Sequence, residues 1–329
     1  MYNDYTKDTC ENQILSDKDK KGKERPWKVK KEKTMLLAES YKRLGIKKFY
    51  RVVECGTYLE FKNFLDADRK LFKANFCKVR LCPMCTWRRE LKIFGQVSKV
   101  MDKALEIKDY RFIFLTLTCA NVEGLELSDT LDRLFKGFDR LFKRTILKKA
   151  VKGWFRALEV THNLDKDSVS YDTYHPHFHV ILMVNKSYFT EKTQYISQAD
   201  WTSLWKESLD VAYTPIVDVR AFKTGTKRQI EKSIAESAKY TVKDNDYLLP
   251  KNEEMTDSAV MVLDNALANR RLIAFGGQLR KIHKELNLDD AETGDLINTD
   301  NDDEIREDIG IMVERYQWHV GYKQYILID

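Results

Sequence analysis

The segment 174–184 constrains the fold of this chain more than any other, and it reads Tyr-His-Pro-His-Phe-His-Val-Ile-Leu-Met-Val. In an extended strand, successive side chains point to opposite faces of the sheet. His175, His177 and His179 therefore share one face of a predicted strand. Core packing has no use for three neighbouring imidazoles, so this face is metal-binding in character. The apolar side chains that share the other, core-facing side are Phe178, Val180, Leu182 and Val184.

Two other segments are predicted to be strands of the same sheet. Residues 111–118 are rich in β-branched and aromatic side chains, and residues 154–161 follow a similar pattern. The second segment carries Glu159 on the side opposite its core-facing residues. A loop joins it to the histidine strand, so Glu159 is able to lie beside the histidines on one sheet face. Register cannot be read from the sequence, and this adjacency is therefore an inference.

Such a group of side chains is typical of a cation site with open positions. Two or three imidazoles and one carboxylate suit Mn²⁺, Mg²⁺ or a related ion that acts as a Lewis acid on a substrate oxygen. A purely structural zinc site would more often close its shell with cysteines. The alternative is a hydrogen-bonded surface cluster without a metal. The candidate ligands are His177, His179, Glu159 and, as an additional histidine, His175.

Four of the six cysteines fall within residues 55–85. Cys82 and Cys85 form a CxxC knuckle, and their thiolates can occupy two corners of a tetrahedral zinc site, with Cys77 and Cys55 as the other ligands. The alternatives are buried reduced thiols or a redox CxxC, but a thioredoxin-like motif needs a βαβ setting that the pattern lacks. Cys10 and Cys119 have no partners by spacing.

A predicted helix over 227–243 carries a second group of reactive side chains. Glu236 and Tyr240 are four residues apart and share a helix face, with Lys243 close by. A tyrosine beside a bound cation can attack phosphorus and form a phosphotyrosine. A neighbouring carboxylate can then activate water, and a lysine can neutralise phosphate charge. A helical tyrosine is more often a packing residue, so this interpretation depends on the histidine strand.

The charge of the chain is unevenly distributed. The formal net charge is +6, and residues 289–308 hold ten acidic residues against one basic, a local charge of −9, so the remainder carries 6 − (−9) = +15. This balance favours a polyanionic partner. A predicted helix over 131–151 has a basic exposed face with few acids, which is either a solvated face or a phosphate-contacting surface. The candidate phosphate-binding residues are Arg140, Lys143, Arg144, Lys239 and Lys243.

Three motifs together resemble those of a known family. They are Phe-Leu-Thr-Leu-Thr at 114–118, Glu-Val-Thr at 159–161 with His-Pro-His-Phe-His-Val at 175–180, and Glu-Ser-Ala-Lys-Tyr-Thr-Val-Lys at 236–243. In this order they resemble the motifs of rolling-circle replication initiators (Rep proteins) of small bacterial plasmids, which belong to the HUH endonuclease superfamily. The resemblance extends from the cysteine unit to about residue 250, and more loosely to 270–277.

The resemblance implies roles for individual residues. It makes His177 and His179 metal ligands, Tyr240 the nicking nucleophile and Glu236 the residue that activates water in the terminating cleavage. A carboxylate such as Glu159 would supply a third ligand, while His175 lies outside the core motif. The implied substrate is the plasmid origin with one strand accessible, and the implied partners are a host helicase and a DNA polymerase; a homo-oligomer is allowed. The implied cofactors are Mn²⁺ or Mg²⁺ at the active site and a structural zinc.

The fold class expected is α+β, with a central antiparallel sheet flanked by helices and a small N-terminal cysteine-rich zinc unit. The expected organisation is a disordered charged tail over 1–33, the cysteine unit over 34–90, a nicking domain over 91–250 and a C-terminal extension with the acidic segment over 251–329. No signal peptide or membrane span is expected, which favours a cytoplasmic protein. Rival functions are a mobilisation relaxase, a single-tyrosine transposase, a small-molecule hydrolase and a DNA-binding regulator without catalysis.

Overall fold

The structure is a computed structural model, and it describes residues 13–19, 21–64, 69–222, 234, 242–299 and 312–328. The fold is mixed α+β with antiparallel sheets, which confirms the predicted class. Within these ranges no helix is sufficiently long and apolar to cross a membrane. In chain order the elements are α1 (Trp27–Arg43), α2 (Phe49–Glu54), β1 (Tyr58–Asn63), β2 (Arg69–Ala74), α3 (Pro83–Ile107), β3 (Tyr110–Thr118), α4 (Leu127–Lys143), α5 (Thr145–Ala150), β4 (Val151–His162), β5 (Tyr174–Asn185), α6 (Gln198–Leu209), β6 (Val217–Ala221), α7 (Glu253–Ala266), β7 (Ile273–Gly276), α8 (Gly277–Glu285), β8 (Met312–His319) and β9 (Gln324–Leu327).

The chain divides into two compact units, one formed by Met1–Arg88 with Asp295–Asp329 and the other by Arg89–Gly294. The larger unit is built on a five-stranded sheet with the order β6-β3-β5-β4-β7, in which every pair of neighbours is antiparallel. The smaller unit is built on a four-stranded antiparallel sheet with the order β2-β1-β8-β9. The histidine strand β5 is therefore the central strand of the larger sheet.

The larger sheet is buried on both faces. On one face, the ring of Phe178 packs against Phe135 and Phe138 of the amphipathic helix α4. On the histidine face, Ile181 and Met183 continue the strand and are also fully buried. The face of β5 that carries the histidines is thus polar only at the end with the histidines, and it is apolar at the end with Ile181 and Met183. Burial of both faces gives β5 a fixed register, because a shift by one residue would exchange the two faces.

Helix α6 fixes the end of β3 beside the histidines. Its N-cap is Ser197, whose side chain accepts from the backbone N–H of Asp200, while the Asp200 side chain accepts from the backbone N–H of Ser197. Farther along the helix, the indole of Trp205 donates to the backbone oxygen of Thr118 at 2.7 Å. Thr118 is the register partner of His177, so this bond anchors the strand next to the histidine strand.

Residues 270–277 complete the other edge of the sheet. Strand β7 pairs with β4, and Gly276 lies opposite Trp154. A side chain at Gly276 would overlap the Trp154 ring, and Gly277 has a φ of +57° that favours glycine. The two glycines therefore allow the close turn from β7 into α8.

The smaller sheet has an aromatic core on one face. Phe61 of β1 packs edge-on against Trp27 of α1 and against Tyr316 of β8. Tyr325 of β9 packs against Trp318 and donates to the backbone oxygen of Gly56 at 2.6 Å. The chain segments before β2 and after residue 312 are thus joined into one hydrophobic core.

Two predicted boundaries differ in the structure. The charged tail was expected to run to residue 33, but helix α1 begins at Trp27. The reason is that Trp27 and Lys31, four residues apart on the helix, are both buried. The lysine-rich segment therefore has one face that is packed and not solvated. The helix predicted over 131–151 divides at Arg144, whose backbone is extended, and strand β4 begins at Val151.

Candidate metal centre and its surroundings

The register of β4 and β5 brings Glu159 to the histidines. Glu159 lies directly opposite His177 in the antiparallel pair, and both face the same side of the sheet as His179. Glu159 Oε2 is 2.8 Å from His179 Nε2 and 3.4 Å from His177 Nε2, and the two Nε2 atoms are 3.1 Å apart. The adjacency inferred from the strand pattern is therefore present in the structure.

These three side chains fit a divalent cation. Neighbouring ligands of a six-coordinate ion with bonds of about 2.1 Å are separated by about 3.0 Å, which is close to the separations of the three donor atoms. His177 Nδ1 donates to the backbone oxygen of His175 at 3.2 Å, which fixes the tautomer and leaves Nε2 available as a ligand. Metal-binding histidines usually make a bond of this kind with the second ring nitrogen. The donor set, and the hydrogen bond that orients His177, thus suit a metal.

The cluster is shielded from water. Glu159, His177 and His179 are all at most 9% exposed, and the Phe114 ring stacks on His179 with a centroid separation of 5.5 Å. Burial by itself would raise the pKa of Glu159, but the hydrogen bonds and charges of His177 and His179 outweigh burial and hold this pKa well below its ordinary value. Glu159 is therefore a carboxylate at neutral pH and supplies the negative charge of the cluster.

His175 is not part of this cluster. Its Nδ1 donates to Asn121 Oδ1 at 2.9 Å, and its ring is tilted against that of His177 with centroids 5.4 Å apart. Burial and the charge of His177 lower the pKa of His175 to about 4, so the ring is neutral at pH 7. The structure thus brings together two of the three histidines with Glu159.

The residues of the third motif fall partly outside the described chain. Glu236, Lys239 and Tyr240 lie outside the described residues, whereas Lys243 is described and its Nζ is 3.4 Å from Glu159 Oε1. Within the predicted helix, Ile234 is helical and buried. Lys243 is thus beside the carboxylate oxygen that does not face the histidines.

A short segment after Lys243 is anchored to the sheet. His162, at the end of β4, donates through Nδ1 to the backbone oxygen of Asp246 at 2.9 Å, and its Nε2 lies 2.8 Å from Asp172 Oδ1. The ring of Tyr174 stacks on the ring of His162, with the two centroids 4.4 Å apart. Burial raises the pKa of Asp246, whose Oδ2 is buried without a hydrogen-bond partner in the part of the chain that the structure describes. The chain that follows Tyr240 is therefore held against the strands that carry the cluster.

The candidate phosphate-binding residues of helix α4 lie elsewhere. Helix α4 packs on the sheet face opposite the histidines. Arg140 donates to the backbone oxygen of Ser208 at 2.7 Å, and Arg144 forms an ion pair with Glu207 at 2.8 Å, while Lys143 is exposed. Arg140 and Arg144 thus link α4 to α6, and the structure does not bring this basic face to the cluster.

The smaller unit contains a second candidate metal site. Cys55, Cys77, Cys82 and Cys85 are buried together, with Sγ–Sγ separations of 3.5, 3.6 and 3.7 Å. A tetrahedron with Zn–S bonds of about 2.3 Å separates its sulfurs by about 3.8 Å, so the four thiols fit a zinc ion. Cys119 is buried apart from this group, and burial raises its pKa to about 12; Cys10 lies outside the described residues.

Backbone and side-chain donors surround the sulfurs. The backbone N–H groups of Cys77, Lys78 and Val79 lie 3.2–3.4 Å from cysteine sulfurs. Lys31 is fully buried beside them, and its Nζ donates to the backbone oxygens of Val53 and Cys55 at 2.9 and 2.8 Å. The N–H···S bonds stabilise thiolates, as expected around a bound cation, and the buried ammonium group offsets negative charge nearby.

Lys31 was missed at the sequence level because it belongs to a run of lysines that resembles a solvated tail. A signal was nevertheless present, since its spacing places it on one helix face with several less polar residues. The members of this buried stripe on α1 are Trp27, Lys31, Thr34, Ala38 and Tyr41.

Comparisons with known proteins identify the family of the chain. The model of the family described as "Replication protein" matches residues 68–326. A "Protein rep" of Bacillus amyloliquefaciens is 44% identical over 339 residues, covering 95% of this chain and 97% of that protein. A "Protein rep" of Streptococcus pneumoniae is 40% identical over 89% of this chain and 90% of that protein. A third, from Lentilactobacillus hilgardii, is 35% identical over 95% of this chain and 98% of that protein.

No solved structure matched the chain. The family match covers more than half of the chain, and the relatives align with it over nearly their full lengths. The chain therefore belongs to the replication protein (Rep) family of plasmid replication initiators, as its three motifs indicated.

Proposed function

We propose that this replication initiator nicks one strand of its plasmid origin through Tyr240 and keeps the 5′ end as a phosphotyrosine. The observation that carries the proposal is the cluster of Glu159, His177 and His179, a buried donor set for a divalent cation on the central strand. Lys243, three residues after Tyr240, lies beside Glu159 and ties the third motif to this cluster. The reaction class is therefore a metal-dependent transesterification of DNA, of the HUH endonuclease type.

The first step exchanges one phosphodiester for another. The Tyr240 oxygen bonds to the scissile phosphorus, and the bond from phosphorus to the 3′ oxygen breaks. The Tyr240 hydroxyl loses its proton, and the departing 3′ oxygen takes up a proton to become the 3′-OH. A cation held by His177, His179 and Glu159, Mn²⁺ or Mg²⁺ in this proposal, would supply Lewis-acid polarisation of the phosphate. Lys243 Nζ adds a positive charge at the same place and can pair with a phosphate oxygen. The free 3′-OH is the primer that a DNA polymerase would extend.

Termination needs a second, hydrolytic cut. Glu236 is four residues before Tyr240, so on the predicted helix its carboxylate shares the face of the nucleophile. In this position Glu236 would accept a proton from water, whose oxygen bonds to phosphorus in place of a second tyrosine while the bond from phosphorus to the 3′ oxygen breaks and that oxygen takes up a proton. The 3′-OH freed in this way would then attack the phosphotyrosine, joining the ends of the displaced strand and returning the proton to Tyr240. One tyrosine and one carboxylate are thus sufficient for one round of replication, with a host helicase opening the duplex ahead.

We also propose that the four cysteines of the smaller unit hold a structural zinc ion. A closed shell of four thiolates leaves no position for substrate, in contrast to the open donor set of Glu159, His177 and His179. The two sites therefore have different tasks, one in folding and one in chemistry.

A nicking assay tests the proposed reaction. Labelled single strands tiled across the plasmid origin are incubated with the protein and Mn²⁺ or Mg²⁺. We expect one strand to yield a shorter product with a free 3′-OH and a covalent protein–DNA adduct. The variant Tyr240→Phe should form neither, because it lacks the attacking oxygen, whereas Tyr195→Phe, at an exposed tyrosine of the same unit, should behave as the wild type. An adduct with undiminished yield in Tyr240→Phe would exclude Tyr240 as the nucleophile.

A further inference from the structure

The outer face of the four-stranded sheet in the smaller unit combines basic and aromatic side chains. Strand alternation places the aromatic core, including Phe61 and Tyr316, on the inner face of this sheet. The outer face carries four cations, two aromatic rings and one carboxylate. We define this basic-aromatic face by its residues: Tyr58, Glu60, Lys62, Lys70, Phe72, Lys73 and Arg315.

A β-bulge sets the position of Phe72 on this face. In the pairing of β1 with β2, Glu60 lies opposite Lys73 and Phe61 lies opposite Leu71, so Phe72 is the extra residue. Bulges change the direction of a side chain and recur at functional sites. Phe72 is 42% exposed, and Lys62 Nζ lies 3.6 Å from the centroid of its ring. The bulge thus presents an aromatic ring to solvent on an otherwise charged surface.

The seven residues of the basic-aromatic face include more basic than acidic side chains. Glu60 is buried, and it accepts from the Tyr58 hydroxyl at 2.5 Å and pairs with Lys73 at 3.8 Å and Arg315 at 3.4 Å. Among the seven residues that define the face, one carboxylate therefore accompanies four cations, a formal charge of 4 − 1 = +3 for this set. Lysines at a sheet edge also prevent aggregation, but that role does not explain an outward phenylalanine between them.

We propose that the basic-aromatic face binds a single strand of DNA, with a base stacked on Phe72 and phosphates paired with Lys62, Lys70 and Lys73. Sheets that bind single strands combine exposed rings for stacking with a basic surface for the backbone. A duplex keeps its bases stacked on each other and would leave Phe72 without use. The inference rests on the proposed function only in taking DNA as the polyanion.

Fluorescence anisotropy tests this binding without any cleavage. The probe is a labelled oligo(dT) of about 16 nucleotides, titrated with the full-length protein in the Tyr240→Phe background and in EDTA. We expect Phe72→Ala to weaken binding about 5- to 150-fold, the range for one lost base–ring stack. We expect Lys62→Ala to reduce the slope of log affinity against log salt by about 0.7.

Matched controls separate the face from general effects. Tyr50→Ala and Lys47→Ala change an exposed aromatic residue and an exposed lysine of the same unit outside the face, and should leave affinity unchanged. Unaltered thermal unfolding of Phe72→Ala confirms that the sheet is intact. Equal affinities of Phe72→Ala and Tyr50→Ala would overturn the proposal, as would a duplex of the same length that binds more tightly and does not respond to Phe72→Ala. Failure of Tyr240 to form an adduct would leave this result unaffected, because no step of the titration needs nicking.

Discussion

Glu159 gives the candidate metal centre its charge. Two neutral imidazoles bind a divalent cation weakly compared with a set that includes a carboxylate, which also selects for Mn²⁺ and Mg²⁺. Glu159 is buried and ionised and divides its two oxygens between the histidines and Lys243. Its single side chain therefore connects the candidate cation site to Lys243.

Replacement of Glu159 tests this role. Glu159→Gln keeps the shape of the side chain and removes its charge, so we expect Mn²⁺ affinity to fall by at least about 10-fold. An electron paramagnetic resonance titration of free Mn²⁺ measures the affinity. His175→Ala serves as the matched variant, because His175 bonds to Asn121 and lies outside the cluster, and its Mn²⁺ affinity should stay close to that of the wild type. A larger loss of Mn²⁺ affinity in His175→Ala than in Glu159→Gln would show that this assignment of the ligands is wrong.

Replacement of Lys31 tests the proposed zinc site, because it should have opposite effects with and without zinc. Four thiolates and Zn²⁺ carry a net charge of −2, which the buried ammonium group offsets, whereas neutral thiols leave that group as an uncompensated buried charge. We expect Lys31→Met to weaken zinc binding about 10- to 100-fold, measured by competition with a chromophoric chelator. Without zinc, the same variant should be at least as stable to urea as the wild type. A residue that only bonds to the oxygens of Val53 and Cys55 would destabilise both forms equally when replaced.

At the scale of elements, the position of the cluster depends on how its strands are held. Strand β5 lies between β3 and β4, and α6 holds the end of β3 through the bond from Trp205 to Thr118. The start of α6 is in turn fixed by the reciprocal hydrogen bonds of Ser197 and Asp200. Unfolding of the first turn of α6 should therefore lower the stability of the larger unit.

Two serines of α6 should respond in opposite directions. Ser197→Ala removes the cap and should lower the free energy of unfolding by about 1 kcal/mol. Ser203→Ala, at an exposed position of the same helix, should raise it by a few tenths of a kcal/mol, since alanine has the higher helix propensity. Urea denaturation followed by circular dichroism measures both. Equal effects of the two substitutions would show that the cap contributes nothing.

The sequence predicts the elements well where a local pattern decides them. Alternation identified the histidine strand and the side of its neighbouring strand on which Glu159 lies. The pairing of Glu159 with His177 required tertiary structure, because register is set by packing of both faces of β5. The division of the predicted helix at Arg144 and the burial of Lys31 were missed for the same reason. A helical pattern or a run of lysines in the sequence does not show which other elements those residues pack against. The distance of the basic helix α4 from the cluster likewise follows from which sheet face it covers.

At the scale of the whole molecule, each of the two compact units carries one candidate metal site among its described residues. The site of the smaller unit is closed by four sulfurs, and the site of the larger unit has three donors with nitrogen and oxygen atoms. Thiolate ligands hold zinc firmly, whereas Mn²⁺ and Mg²⁺ exchange readily from such a partial shell. The proposed division of labour therefore predicts different responses to a chelator.

Dialysis against EDTA should separate the two sites. We expect the protein to lose strand-nicking activity and to keep close to one zinc per chain by mass spectrometry of metals. Added Mn²⁺ should then restore nicking without added zinc. In the variant Cys82→Ser we expect loss of the zinc and a lower melting temperature, because a structural zinc ion contributes directly to folding free energy. Restoration of nicking only by zinc would contradict the assignment of the two sites.

The central claim is that Tyr240 becomes joined to DNA beside the cation held by Glu159, His177 and His179. The most direct test is mass spectrometry of the covalent adduct after digestion with nuclease and protease. We predict a single modified peptide, with a 5′-nucleotide on the oxygen of Tyr240. A nucleotide attached to any other residue, or cleaved origin DNA without any attached protein, would contradict this account.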